Sequence, residues 1–374
     1  MRRILLVALC ALPILTGCTK KSGNEIVIGH FGSMTGSEAT FGQSTDEGIR
    51  LAIEETNAAG GIKGKKIRLI TMDDQGKAEE AASVVTRLIE QEKVVALLGE
   101  VASGRSLAAA PIAQNKKIPM LTPSSTNPKV TEVGNFIFRA CFIDPFQGTV
   151  MAKFAFNELK LKKVAIFRDV KSDYSVGLAD FFVKTFKELG GEIVGDASYQ
   201  SQDVDFKAQL TQLKSLKPEG LFIPGYYTEV GLIARQAREL GIKAVMLGGD
   251  GWDSPKLYEI GKDAINGSYF SNHYSTESTD PAAVEFLKKF KAKYNKSPDG
   301  LSSVAYDATR ILMKAMESTT EINALAIRDQ LASIKEFMGA TGKISIDANR
   351  NAVKSAVVVQ VHGTENKFVT TVNP

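Results

Sequence analysis

Two short segments place small polar residues where they could grip an anion. Gly99-Glu100-Val101-Ala102-Ser103-Gly104 and Thr122-Pro123-Ser124-Ser125-Thr126-Asn127-Pro128 each follow an apolar run. Free backbone N–H groups at the start of a helix favour negative charge. A carboxylate held by such groups and by serine and threonine hydroxyls needs no arginine. The spacing is equally consistent with Ser103 as a helix cap and Thr126 as a turn residue. Covalent and metal chemistry are less well served. The histidines, His30, His273 and His362, are widely separated, and no His-x-x-x-His or Cys-x-x-Cys spacing occurs. There is no Gly-x-Ser-x-Gly elbow and no glycine-rich nucleotide loop. Asp347-Ala348-Asn349-Arg350-Asn351 opens like a calcium loop, but Ala352 and Val358 stand where a glycine and a bidentate glutamate are needed. Asp73-Asp74, at a strand end before a helix, reads as a solvated cap. The expectation is a binding protein with no metal, no cofactor and no catalytic residue.

The elements that must carry these segments alternate. Strand runs at 26–29, 66–72, 94–98 and 118–121 are separated by helical spacing at 45–57, 78–91 and 103–115. The same rhythm returns after Pro145. Strands at 164–167, 192–194, 220–223 and 244–247 alternate with helices at 176–189, 206–216 and 229–240. Such alternation indicates an α/β fold of parallel sheets with helices on both faces. The tail breaks the pattern, with long helices at 281–294 and 303–316 and strands at 343–347 and 356–361. The cut between the two units falls near 140–145. Open sheets of this kind bind ligands at the carboxyl ends of their strands, where both polar segments lie.

The beginning of the chain reads as an export signal. Arg2 and Arg3 precede an apolar run at 4–15, which is shorter than the roughly 20 residues of a membrane span. The run ends Leu15-Thr16-Gly17-Cys18, small residues before a cysteine, so residues 1–17 are expected to be removed and Cys18 to carry lipid. Residues 18–24 would be a polar tether. Two lipid signals or more hold a protein stably on a membrane. Loss of the leader lowers the formal charge from +4 to +2, because it takes two arginines and no acid. Near-neutral charge argues against a nucleic-acid partner. Cys141 is then left alone for disulfide purposes and reads as a buried small hydrophobe.

A set of motifs in order resembles one family. Gly32-Ser33-Met34-Thr35-Gly36, Gly60-Gly61-Ile62-Lys63-Gly64 with Asp73-Asp74, Leu121-Thr122-Pro123-Ser124-Ser125-Thr126, Asp173-Tyr174-Ser175-Val176-Gly177 and Gly225-Tyr226 are similar to the periplasmic leucine/isoleucine/valine-binding proteins. The likeness runs from about Glu25 to Asp347. It implies two Rossmann-like lobes joined by three hinge crossovers, the type I periplasmic binding protein fold. Residues 25–144 plus 274–353 would form the N-terminal lobe and 145–273 plus 354–374 the C-terminal lobe.

The resemblance also implies roles. Ser103 would bind the ligand α-carboxylate, and Thr126 would use its N–H on the carboxylate and its hydroxyl on the head group. The Ser124 carbonyl and the Asp250 side chain would receive the ammonium. Tyr174 and Tyr226 would close over the ligand, with Phe41 and Trp252 near its side chain. Departures are visible. Asp250 is one methylene shorter than the usual glutamate. Gln75 or Gly76 and Ala102 stand where the family has a first-lobe disulfide. Arg105 lies near the pocket, either solvent-facing or turned inward toward a polar or acidic ligand. The implied function is capture of a free L-amino acid, branched-chain or otherwise small and neutral, and its delivery to the permease and ATPase of an ABC transporter. A sensory protein on the same scaffold and an exported hydrolase are the competing readings.

Overall fold

The computed structural model describes residues 25–374. The signal, the tether and Cys18 lie outside the described residues.

The first sheet is wholly parallel and runs Lys66–Asp73, Glu25–Gly32, Ala96–Leu98, Met120–Thr122, Ile137–Arg139. Its strands are apolar on both sides because helices cover both faces. Successive residues point to opposite faces. Ile26, Ile28, Ala96 and Leu98 therefore enter one core with Ile49, Ile53 and Leu312. Phe31 and Leu97 enter another with Val85, Leu88 and Ala109. Strand order reverses at Glu25–Gly32, so the loops after it and after Ala96–Leu98 flank a crevice.

The second sheet runs Glu365–Val372, Ala356–His362, Tyr269–Asn272, Val245–Gly248, Gly220–Phe222, Lys163–Asp169, Glu192–Tyr199. Its five strands from Tyr269–Asn272 onward are parallel, and Ala356–His362 pairs antiparallel with both Tyr269–Asn272 and Glu365–Val372. Its faces divide in the same way: Val164 and Ile166 go to one core, Ala165 and Phe167 to the other. The chain passes between the two lobes three times, after Ile137–Arg139, after Tyr269–Asn272 and between Ala352–Val353 and Ala356–His362.

The tail helices return to the first lobe. Helix Gly300–Ser318 packs along helix Ala39–Ala58, and Phe286 and Phe290 of helix Pro281–Tyr294 cover Leu51 and Ala52. Gly48 permits that close approach, since a Cβ there would stand 2.1 Å from the Ser302 carbonyl oxygen. The first helix begins at Ala39, earlier than the spacing predicts, and helix Asp144–Lys153 and strands Ile137–Arg139, Tyr269–Asn272 and Glu365–Val372 were not anticipated.

Candidate functional site

One wall is built on the first sheet. Ser103 is the first residue of helix Ser103–Asn115 and is buried; its Oγ accepts from the Asn127 N–H at 3.2 Å. The polar turn 122–128 is fixed from below. Thr122 Oγ1 donates to the Glu100 carbonyl at 2.6 Å and accepts from the Ser125 N–H at 2.9 Å. Arg139, wholly buried, donates to the carbonyls of Ser125, Asn127 (2.7 Å) and Pro128 (3.2 Å). Ser124 and Thr126 are also buried, yet their hydroxyls have no hydrogen-bond partner among the described residues. Leaving a buried polar group unpaired costs about 1–3 kcal/mol. Few such groups occur in folded proteins, and each calls for an explanation.

The other wall comes from the second sheet. Ser172 caps helix Asp173–Glu188 by accepting from the Ser175 N–H, which presents Tyr174 in the first turn. Asp250 follows strand Val245–Gly248 and is 4% exposed. Its Oδ1 accepts from Gln147 Nε2 at 2.7 Å and from the Tyr174 hydroxyl at 3.0 Å. His273 Nε2 lies 3.0 Å from its Oδ2. The Tyr174 oxygen in turn accepts from the Gly251 N–H at 3.2 Å. Tyr174 and Tyr226 stack with centroids 5.2 Å apart and planes 4° from parallel. Phe41, from the first lobe, meets Tyr226 edge-on at 5.3 Å. Burial raises both tyrosine hydroxyls well above their ordinary range, so they stay protonated. Burial lowers His273, against the pull of Asp250.

The walls touch. Asn127 Nδ2 donates to the Asp173 carbonyl at 2.8 Å, joining the neighbours of Thr126 and Tyr174. Thr228 Oγ1 donates to the Ser37 carbonyl at 2.8 Å, and Thr40 and Ser254 share a 2.9 Å hydroxyl contact. Phe41, Tyr226, Tyr174 and Asp250 form a continuous run of contacts, and Ser103 joins Thr126 through Asn127. An open groove of about 600 Å³ runs elsewhere, along Thr40, Asp253, Asn272 and Asp299. The head-group residues are enclosed instead.

Trp252 is fully buried, as Phe41 is; its indole N–H donates to the Ile223 carbonyl at 2.9 Å, and it packs with Phe270. Two expectations need correction. Arg105 neither faces solvent nor is free to bind an acidic ligand. It is 7% exposed and paired with Glu38 at 2.5 Å and Glu100 at 3.0 Å. Asp74 is not a solvated cap. It is buried, accepts from Ser33 Oγ at 3.0 Å, and is pushed up to about 7 by burial and then by the Glu100 charge. Asp73 caps the loop, accepting from the Met34 and Gln75 N–H groups, while buried Asp74 accepts from the Gly76 N–H at 3.0 Å. Cys141 is buried, and burial pushes its thiol up to about 12.

Sequence reasoning passed over Gln147, His273 and Arg139. Gln147 and His273 lie 103 and 23 residues from Asp250, and only the folded sheet brings them together.

Residues 25–366 match the family model described as periplasmic binding protein. The Leu/Ile/Val-binding protein BraC3 of Rhizobium johnstonii is 33% identical over 326 residues, 86% of this chain and 87% of that protein. Among solved structures, the leucine binding protein LivK of Thermotoga maritima is 43% identical with a TM-score of 0.90, covering 93% of this chain and 99% of that one. The branched-chain amino acid substrate-binding protein LivJ of Streptococcus pneumoniae, solved with isoleucine, is 35% identical with a TM-score of 0.89 over 94% of this chain and all of that one. With its two α/β lobes, three crossings and polar residues gathered where the lobes meet, the chain belongs to the periplasmic binding protein family and has the type I fold of its Leu/Ile/Val-binding relatives.

Proposed function

We propose that this protein captures a branched-chain or other small neutral L-amino acid outside the cytoplasm and delivers it to an ABC permease. The observation that carries the reading is the chemistry at the lobe junction. Asp250 is a buried acid held in place by three side chains, and on the other wall Ser124 and Thr126 keep buried hydroxyls without partners among the described residues. An acid on one wall and neutral donors on the other suit the two ends of a zwitterion. Ser103 and the Thr126 N–H would take the carboxylate. Asp250 and the Ser124 carbonyl would take the ammonium, and Tyr174 and Tyr226 would cover the ligand. Phe41, Val101 and Leu301 from the first lobe pack into the apolar cluster of Tyr227 and Ile223, which favours an aliphatic side chain. Neutralised by Glu38 and Glu100, Arg105 offers nothing to an acidic one.

Capture would work by closure. The first lobe holds the head group, and the second adds Asp250 and the tyrosines. A ligand shifts such a balance only by its differential affinity for the closed form. Charge-assisted hydrogen bonds of about 1.5–3 kcal/mol each, with side-chain burial, reach the roughly −8 kcal/mol of micromolar binding. Division of the lobes at 144/145, 273/274 and 353/354 and membrane attachment through a lipid on Cys18 belong to the same reading. A thermal-shift screen against the twenty amino acids tests it, because a ligand that binds only the native state raises the unfolding temperature. Stabilisation by leucine, isoleucine or valine is expected. A screen in which no amino acid stabilises the protein would overturn the reading.

A further inference from the structure

We propose that Asp144 is a second acid of the head-group site, receiving the ligand's ammonium together with Asp250. This deepens the amino-acid reading and rests on it. Asp144 opens helix Asp144–Lys153 at the first crossing between lobes and is fully buried. Neither carboxyl oxygen has a hydrogen-bond partner among the described residues, so it caps none of the N–H groups of its own helix. Its backbone N–H donates to the Thr126 carbonyl at 3.0 Å, which seats the residue directly behind the polar turn. The Thr126 hydroxyl lies beside the carboxyl, without a hydrogen bond of good geometry between them. From the second lobe, Gly177 comes close enough that a Cβ there would stand 3.5 Å from Asp144 Oδ2. The carboxyl thus sits between the two walls.

The groups facing it leave the acid uncompensated. Asp250 and Tyr174 approach from the second lobe, and Arg139 and Cys141 from the first. Arg139 is the one cation among them, but its terminal nitrogens are committed to the carbonyls of the turn and to Thr131. Burial, reinforced by the Asp250 charge, pushes Asp144 up to about 8. The side chain is therefore mostly neutral at pH 7. An arriving ammonium favours the charged form of a neighbouring carboxyl, so Asp144 gives its proton to the buffer as the ligand binds.

The test is calorimetric titration of the full chain with L-leucine in buffers of different ionisation enthalpy. At pH 7 close to one proton is released per leucine, falling by more than half at pH 8.5. Asp144→Asn abolishes the release and weakens binding at least ten-fold. If that variant does not fold, the wild-type proton count decides alone. Absence of proton release from the wild type, or an Asn variant binding leucine within two-fold of wild type, would overturn the role of Asp144. Loss of binding on Asp250→Ala alongside either result would leave the amino-acid reading standing. A wild type that binds none of leucine, isoleucine and valine would bring down both.

Discussion

His273 holds Asp250 from the hinge side. Its Nε2 lies 3.0 Å from Asp250 Oδ2, while its ring stacks on Phe142 with centroids 4.0 Å apart. Phe142 belongs to the first crossing between lobes and His273 begins the second. The acid proposed to take the ammonium is thus tied to two of the segments that cross between the lobes.

Replacing His273 with leucine removes one of the three partners of Asp250. Leucine affinity is expected to fall roughly ten-fold, in line with one hydrogen bond to a charged group. Stability also acquires a pH signature. Burial lowers His273 below its ordinary 6.5 in the folded state. As pH falls through about 6.5 the unfolded chain takes up the proton first, so stability drops and levels off below the folded value. His273→Gln is expected to lack that component. Unfolding temperatures of both proteins across this range give the comparison, and identical profiles would count against the assignment.

Arg105→Leu would leave Glu38 and Glu100 buried without their cation. Breaking a buried ion pair costs about 3–5 kcal/mol, measurable by urea unfolding. No gain in aspartate or glutamate binding is expected when wild type is compared with the variant, because Arg105 is already neutralised. Wild-type binding of glutamate lost in the variant would show instead that the guanidinium reaches the ligand.

Trp252 is expected to act on stability. Trp252→Ala removes a fully buried side chain at about 3–5 kcal/mol. Trp252→Phe loses mainly the hydrogen bond to Ile223, roughly 1 kcal/mol. Neither should change which amino acid is preferred in competition titrations. A changed preference in the Phe variant would place Trp252 on the ligand wall.

Asn127→Ala removes the 2.8 Å bond from Asn127 to the Asp173 carbonyl, which joins the lobes beside the site. It withdraws a contact between the lobes that the proposed closure would use. Faster ligand release, by a few-fold to ten-fold, is expected in stopped-flow fluorescence. Unchanged release would mean that this bond adds nothing to closure.

How far the sequence could be read depended on periodicity. Strands such as Lys66–Asp73 and helices such as Ala78–Glu90 carry a pattern long enough to declare themselves. Ile137–Arg139 offers only two apolar residues before an arginine, and Glu365–Val372 is a polar edge strand, so neither does. The loops bearing Ser103, Thr126, Tyr174 and Asp250 stood out because they follow strands or match ordered motifs. The side chains around Asp250 did not, because Gln147 and His273 arrive from different elements. Arg105 was misjudged because a residue's position in a helix does not state which way its side chain turns.

Calorimetric titration of leucine, isoleucine and valine into Asp250→Ala, beside wild type, bears most directly on the central idea that this carboxylate anchors the amine end of the ligand. The variant should keep a wild-type circular dichroism spectrum and lose at least about 100-fold in affinity, near 2.7 kcal/mol. A folded variant that binds any of the three as tightly as wild type would contradict it.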